Sequence, residues 1–262
     1  MTSWVALSSK AHANHGWKQN ADYGFAAAQQ LVPVLMAELS AVIAQYVLCF
    51  VPTENNAYQA TAILSADGKS NVYVDAKGRW LTRYIPAQLR GYPFALHDGQ
   101  ENQKVLCINK SALSEEAGSL PLFDSNGELD KKVADILKFM TECEKSKATI
   151  SAATAELANA GLIVPWDNLV VKQADKQKPI KLDGLYRIDE KALTALNTEN
   201  FAGLRKHGAI ALAYAQLFSI NQLSQLGQLT ELRRRLSPEQ APEKLDSLFG
   251  SDDAGSINFD SI

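Results

Sequence analysis

Between Tyr58 and Ile85 the chain is cut at short intervals by turn residues, and that punctuation constrains the fold more than any other feature. YQATAIL, Tyr58 to Leu64, is a run of strand formers. Ala66-Asp67-Gly68-Lys69 supplies a hairpin turn, because glycine takes the positive φ that such turns need. NVYVD, Asn71 to Asp75, reads as the return strand. Ala76-Lys77-Gly78 turns again, and RWLTRYI, Arg79 to Ile85, reads as a third strand that Pro86 ends. The expectation is a three-stranded antiparallel meander.

The third strand opens the densest mix of aromatic and cationic residues in the chain, GRWLTRYIPAQLRGYPFAL from Gly78 to Leu96. Alternation along a strand puts Arg79, Leu81 and Arg83 on one face and Trp80, Thr82 and Tyr84 on the other. Guanidiniums beside aromatic rings suit recognition of a carboxylate, a phosphate or a peptide, because they combine bidentate bonding with stacking. Arg79, Trp80, Arg83, Tyr84, Arg90, Tyr92 and Phe94 are therefore the candidate binding residues. The competing reading is structural: the same arginines stack on their neighbours and pair with local acids.

Around this centre the sequence reads as α+β, with an antiparallel sheet packed against a mostly helical C-terminal half. Residues 25–46 are expected to be mostly helical, with Leu35, Leu39, Val42, Ile43 and Tyr46 at three and four spacing. YVLCFV, Tyr46 to Val51, reads as a buried strand ended by Pro52, and QKVLCIN, Gln103 to Asn109, as another. Asp130 to Ala160 is expected to form two helices, with Gly161 as a C-terminal cap. LVVK, Leu169 to Lys172, is expected to pair with IKLDGLYRI, Ile180 to Ile188, across an exposed turn at 174–179. Helices follow at Asp189 to Leu196, with Asp189 as N-cap, at Thr198 to His207 and at Ala209 to Leu226. A single domain over residues 1–237 is expected, then a flexible acidic tail over 238–262. In that tail Leu248, Phe249, Ile257 and Phe259 are apolar tips suited to docking on a partner; the plainer reading is a solvating tail.

A net charge of -3 over 262 residues argues against a general binder of nucleic acid or membrane surfaces. The three arginines at 233–235 end a helix, where positive charge suits the dipole. Cys49, Cys107 and Cys143 sit far apart in apolar or helical runs, without a metal or redox pair, and read as buried small hydrophobes in a reducing compartment. The first residues carry no basic segment followed by an apolar one, and the longest apolar run is broken by Pro33, Glu38, Ser40 and Gln45. A cytoplasmic protein without membrane insertion is expected. No phosphate-binding, nucleophile-elbow or metalloprotease motif is present. His12 and His15 are weak metal candidates, and no cofactor is expected. Glu38, within an apolar helical face, is a candidate buried carboxylate partnered by an arginine of the central stretch.

The blocks LVPVLMAELSAVIAQYVLCFVP, NVYVDAKGRWLTRYIPAQLRGYPFAL, KVLCINKSAL, LPLFDSNGE, LDGLYRIDEKALTALN and LAYAQLFSINQLSQL, taken in order, resemble the SapC-like family of bacterial proteins from about residue 20 to 228. This is not the transporter permease of the same name. The resemblance marks Trp80, Tyr84, Pro86, Arg90, Tyr92, Pro93 and Phe94 as family-defining and supplies no catalytic residue. It implies a surface-layer association in name. It also implies an accessory role beside TonB-dependent receptors, tryptophan-halogenase-like flavoproteins and cupin-like proteins. The leading expectation is an accessory protein that docks a partner protein or peptide. The alternatives are an enzyme with an unrecognised metal- or oxygen-dependent site, and a surface-layer structural protein. A homo-oligomer is compatible with each.

Overall fold

The computed structural model describes residues 3–54, 57–100, 103–172 and 178–236. The fold is α+β, as expected. Its main sheet is built on the strand Tyr58–Ile63, whose last four residues are all buried. A strand covered on both faces reads as a continuous apolar run, which is how ATAI appears in the sequence. Leu48–Pro52 pairs with it on one side, Phe50 opposite Ala60, and Leu31–Pro33 on the other, Leu31 opposite Ile63. Tyr186–Ile188 joins beyond Leu48–Pro52, and Ile163–Pro165 completes five antiparallel strands. Both edge strands finish in proline, Pro33 and Pro165, where a missing N–H interrupts no ladder.

The edge strand Leu31–Pro33 corrects the expected helix over 25–46. Helical turns are confined to Gly24–Ala26, Met36–Glu38 and Leu39–Val42. The three and four spacing of Leu39, Val42 and Tyr46 is real and all three are buried, but it describes barely two turns.

The meander also needs correction beyond its first strand. Val72 N donates to Leu64 O at 2.9 Å and Leu81 N to Tyr73 O at 2.8 Å, so the chain follows the expected path. A single bridge pair, Val74 with Trp80, is all that is regular in it. The physical reason lies in side chains that take the ladder's bonds. Asn71, fully buried, donates to Ala26 O and accepts from Tyr73 N. Asp75 accepts from the N–H groups of Lys77 and Arg79, at 2.8 Å each. Tyr84 N donates to the Gln45 side chain.

Lys131–Asn159 is one helix, not two, started by the Asp130 side chain and stopped by Gly161 at φ 68°. Twenty-nine residues run about 43 Å at 1.5 Å each. That length lets one helix serve two cores. Its first half packs Val133, Ile136 and Met140 with Trp17, Phe94, Ile108 and Leu122. Its second half packs Ile150, Ala153 and Leu157 against the main sheet. Two three-stranded sheets frame the smaller core, one of Trp4–Ala6, Lys104–Asn109 and Phe94–Asp98, the other of Leu113–Ser114, Gly16–Trp17 and Leu120–Pro121.

The expected hairpin of 169–172 with 180–188 splits at Gly184, φ 77°. Ile180–Lys181 pairs with Val170–Val171, while Tyr186–Ile188 enters the main sheet. Asp189 caps the next helix, as expected, accepting from Lys191 N and Ala192 N. The helix Ala209–Ser219 is stitched to the sheet by Gln216, fully buried, which accepts from Ile188 N and donates to Leu48 O. Leu223–Leu236 is the last described helix. The expected tail boundary at 238 lies outside the described residues. Among the described residues no helix is long and apolar enough to cross a membrane.

Candidate functional site

The stretch from Arg79 to Tyr84 keeps the strand's two-residue alternation although it pairs as a loop. Arg79, Leu81 and Arg83 are exposed, and Trp80, Thr82 and Tyr84 turn inward.

On the inner side two side chains and one backbone carbonyl converge on the hydroxyl of Tyr46, a residue with no exposed surface. Trp80 Nε1–H donates to it at 2.8 Å, and it lies 2.7 Å from Thr82 Oγ1. Its own proton goes to the carbonyl of Tyr84. A hydroxyl with one proton can satisfy all three contacts only if Thr82 donates to it. Burial pushes the Tyr46 phenol up to about 12, against the opposing hydrogen bonds of Thr82 and Trp80. It is neutral at any ordinary pH. The Trp80 ring packs edge-on to Tyr23, centroids 5.5 Å apart. Gly78 makes that approach possible: it takes φ 77°, its carbonyl accepts from Tyr23 N, and a Cβ on it would lie 2.6 Å from the Asp22 side chain.

Glu38 closes the inner side. It is buried, as expected, but its partners are hydrogen-bond donors and not an arginine. Oε1 accepts from Leu35 N at 2.9 Å, and Oε2 from Tyr84 OH and Ala87 N at 2.8 Å each. Arg90 stops one group short, donating to the Tyr84 hydroxyl at 3.1 Å. The reason is steric order along the chain: Tyr84 and Ala87 reach the carboxylate first and leave the guanidinium outside. There it stands over the rings of Phe139, 4.9 Å, and Tyr84, 5.4 Å. A cleft of 170 Å³ opens beside it, lined also by Cys143 and Ser146. Burial, then the Glu38 hydrogen bond and charge, raise the Tyr84 phenol, and burial raises the Cys143 thiol. Neither group is poised to act as a nucleophile or base at neutral pH.

The outer side has a different chemistry. Arg79 pairs with Asp75 at 2.7 Å. Arg83 makes no ion pair among the described residues. Leu81 is 40% exposed and meets Leu232, 44%, and Leu236, 65%, from the last helix. With Val72, Val74 and Arg233 they line a cleft of 320 Å³. Arg233 fastens the helix here, donating to Asn71 O at 3.0 Å and to Val74 O. Glu231, 5% exposed, is pinned by Arg234 and Arg235, each at 2.8 Å.

The remaining candidates go elsewhere. Tyr92 stacks on Phe25 at 3.8 Å and accepts from Asn109 Nδ2. Phe94, 3% exposed, packs on Trp17 in the smaller core. His12 and His15 have ring centroids 5.5 Å apart. His12 Nδ1 lies 3.2 Å from the Ser8 backbone, and His15 Nε2 3.2 Å from Glu115. Among the described residues no group of three or more His, Cys, Asp or Glu is placed to hold a metal ion. Leu248, Phe249, Ile257 and Phe259 lie outside the described residues. The sequence reading did not single out Tyr46, Leu232 or Leu236 for this site. For the two leucines a signal existed: they stand four apart, on one side of a helix, beside the arginine run.

Neither the curated proteins nor the solved structures contain a match to the chain. The family model SapC matches residues 7–226, a span that takes in both faces of the central stretch, and the chain belongs to the SapC family.

Proposed function

We propose that this is an accessory protein that docks an acidic, apolar-tipped peptide segment of a partner protein in the cleft beside Leu81. The observation that carries the reading is the exposure of three leucines, Leu81, Leu232 and Leu236, among guanidiniums on a well-fixed frame. Among the described residues Arg79, Arg83, Arg233, Arg234 and Arg235 outnumber the acids Asp75 and Glu231 with which they are grouped, so the surroundings favour a negative ligand. Apolar side chains entering the cleft contribute about 1.5–3 kcal/mol each on full burial. The charges add mainly encounter rate and selectivity, and lose strength with salt.

The inner side supports the same reading. Its buried phenol is held neutral and its carboxylate accepts from three donors, an arrangement that fixes shape. Arg90 beside its small cleft is a second cationic contact for the same partner. The company that the family resemblance implies, TonB-dependent receptors, halogenase-like flavoproteins and cupin-like proteins in a cytoplasmic setting, supplies the class of partner.

Native co-purification from the source organism tests this, with the full chain and with Leu81→Asp compared in one experiment. A stoichiometric protein lost from the variant, whose unfolding curve matches the parent, is the expected result. A partner retained equally by both would overturn the assignment to this cleft.

A further inference from the structure

The last described residue is itself part of the cleft. Leu236 lines it and is 65% exposed. Twenty-six residues follow, 237–262, with six carboxylates and one lysine. Among them Leu248 and Phe249 are adjacent, with Asp246 before them and Asp252 and Asp253 after. That is an apolar pair between acidic flanks. The cleft offers a complement: Leu81, Leu232 and Leu236 supply apolar lining, and Arg79, paired with Asp75, and Arg233 line it as well. We infer that the segment around Leu248 and Phe249 occupies the Leu81 cleft of its own chain and must leave before a partner enters. This deepens the docking reading and rests on it.

Reach and concentration favour the chain's own segment over a second copy. Twelve residues separate Leu236 from Leu248 in numbering. Twelve residues of unstructured chain in general have an average span of about 20 Å, ample for a return to a site at the chain's own root. Tethering over so short a length gives an effective concentration on the order of 1 mM. A segment that binds with a dissociation constant of only about 0.1 mM would then fill the cleft about nine-tenths of the time. It would weaken a competing peptide about tenfold. A weak and reversible contact is thus enough to regulate access, and salt would loosen it.

The test uses the full chain with a benzophenone amino acid in place of Phe249, irradiated as a mixture of isotope-labelled and unlabelled protein. The expected adducts lie on Leu81, Leu232 or Val74 and join residues of one molecule. Adducts on other surfaces, or between labelled and unlabelled copies, would overturn the inference. In parallel, a synthetic peptide of residues 243–262 is titrated into the full chain and into a variant with Leu248→Asp and Phe249→Asp. The variant is expected to bind it about ten times more tightly. Equal binding by both, abolished by Leu81→Asp, would overturn occupation by the tail while leaving the cleft as a peptide site. Failure of the peptide to bind either protein, with no adducts in the cleft, would overturn both.

Discussion

The two faces of one six-residue stretch differ in kind. From Arg79 to Tyr84 the inward residues end in hydrogen bonds with defined partners, and the outward residues end in solvent or at the rim of a cleft. Trp80, Thr82 and Tyr84 tie the stretch to Tyr46 and Glu38. Arg79 pairs with Asp75 at the surface, while Leu81 and Arg83 present apolar surface and charge to solvent. Buried polar groups are costly unless satisfied, so the inner face is legible as structure. Exposed leucines set among arginines have no such structural account, which is why the outer face is the one proposed for recognition.

If the difference is real, substitutions on the two faces separate in their effects. Glu38→Ala is expected to cost most, about 3–5 kcal/mol in denaturant unfolding, because two buried backbone N–H groups and the half-buried Tyr84 hydroxyl lose their acceptor at once. Trp80→Ala comes next at about 3 kcal/mol, for the ring and its N–H together. Trp80→Phe, which keeps most of the ring, should lose about 1–2 kcal/mol. A Trp80→Ala chain as stable as the parent would remove the inner face's structural role.

Glu231 is the outer side's one contact expected to register in stability. Hydrogen bonds from Arg234, then Arg235, hold its carboxyl down from 4.5 to about 2. A depressed value in the folded state means a contribution present above about 4.5 and lost as the pH falls toward about 2. Glu231→Gln should remove that part of the acid sensitivity, read as a flatter dependence of the unfolding midpoint on pH over the same window. Smallest of all, Arg79→Ala and Arg83→Ala should each change stability by less than about 1 kcal/mol, since exposed ion pairs contribute little. A larger loss at Arg83 would move it to the structural side.

The alternation of Arg79 to Tyr84 was legible in the sequence because it needs only extended backbone, not a ladder. The strand at Tyr58, the cap at Asp189 and the terminator Gly161 were legible too, each through a local rule of turn or cap chemistry. The strand Leu31–Pro33 was not, because three residues on a sheet edge give too short a pattern to outweigh the helical spacing that follows. The regular meander failed for a related reason. Asn71 and Asp75 satisfy backbone groups with their own side chains, and a strand pattern does not record where those bonds go. Glu38 was recognised as buried, but two of its three donors come from residues 46 and 49 positions away, Tyr84 and Ala87, beyond any local rule. The cleft was hidden most deeply. It joins Leu81 to Leu232 and Leu236, some 150 residues later in the chain, and only the docking of the last helix through Arg233 brings them together.

One measurement bears most directly on the division between the faces. In a chain whose own tail carries Leu248→Asp and Phe249→Asp, the pair Arg79→Glu and Arg83→Glu would be assayed in a single preparation for unfolding free energy and for binding of the 243–262 peptide at low salt. The account expects stability within about 1 kcal/mol of the parent and binding weakened at least tenfold. Unchanged binding, or a stability loss as large as that of Trp80→Ala, would contradict it.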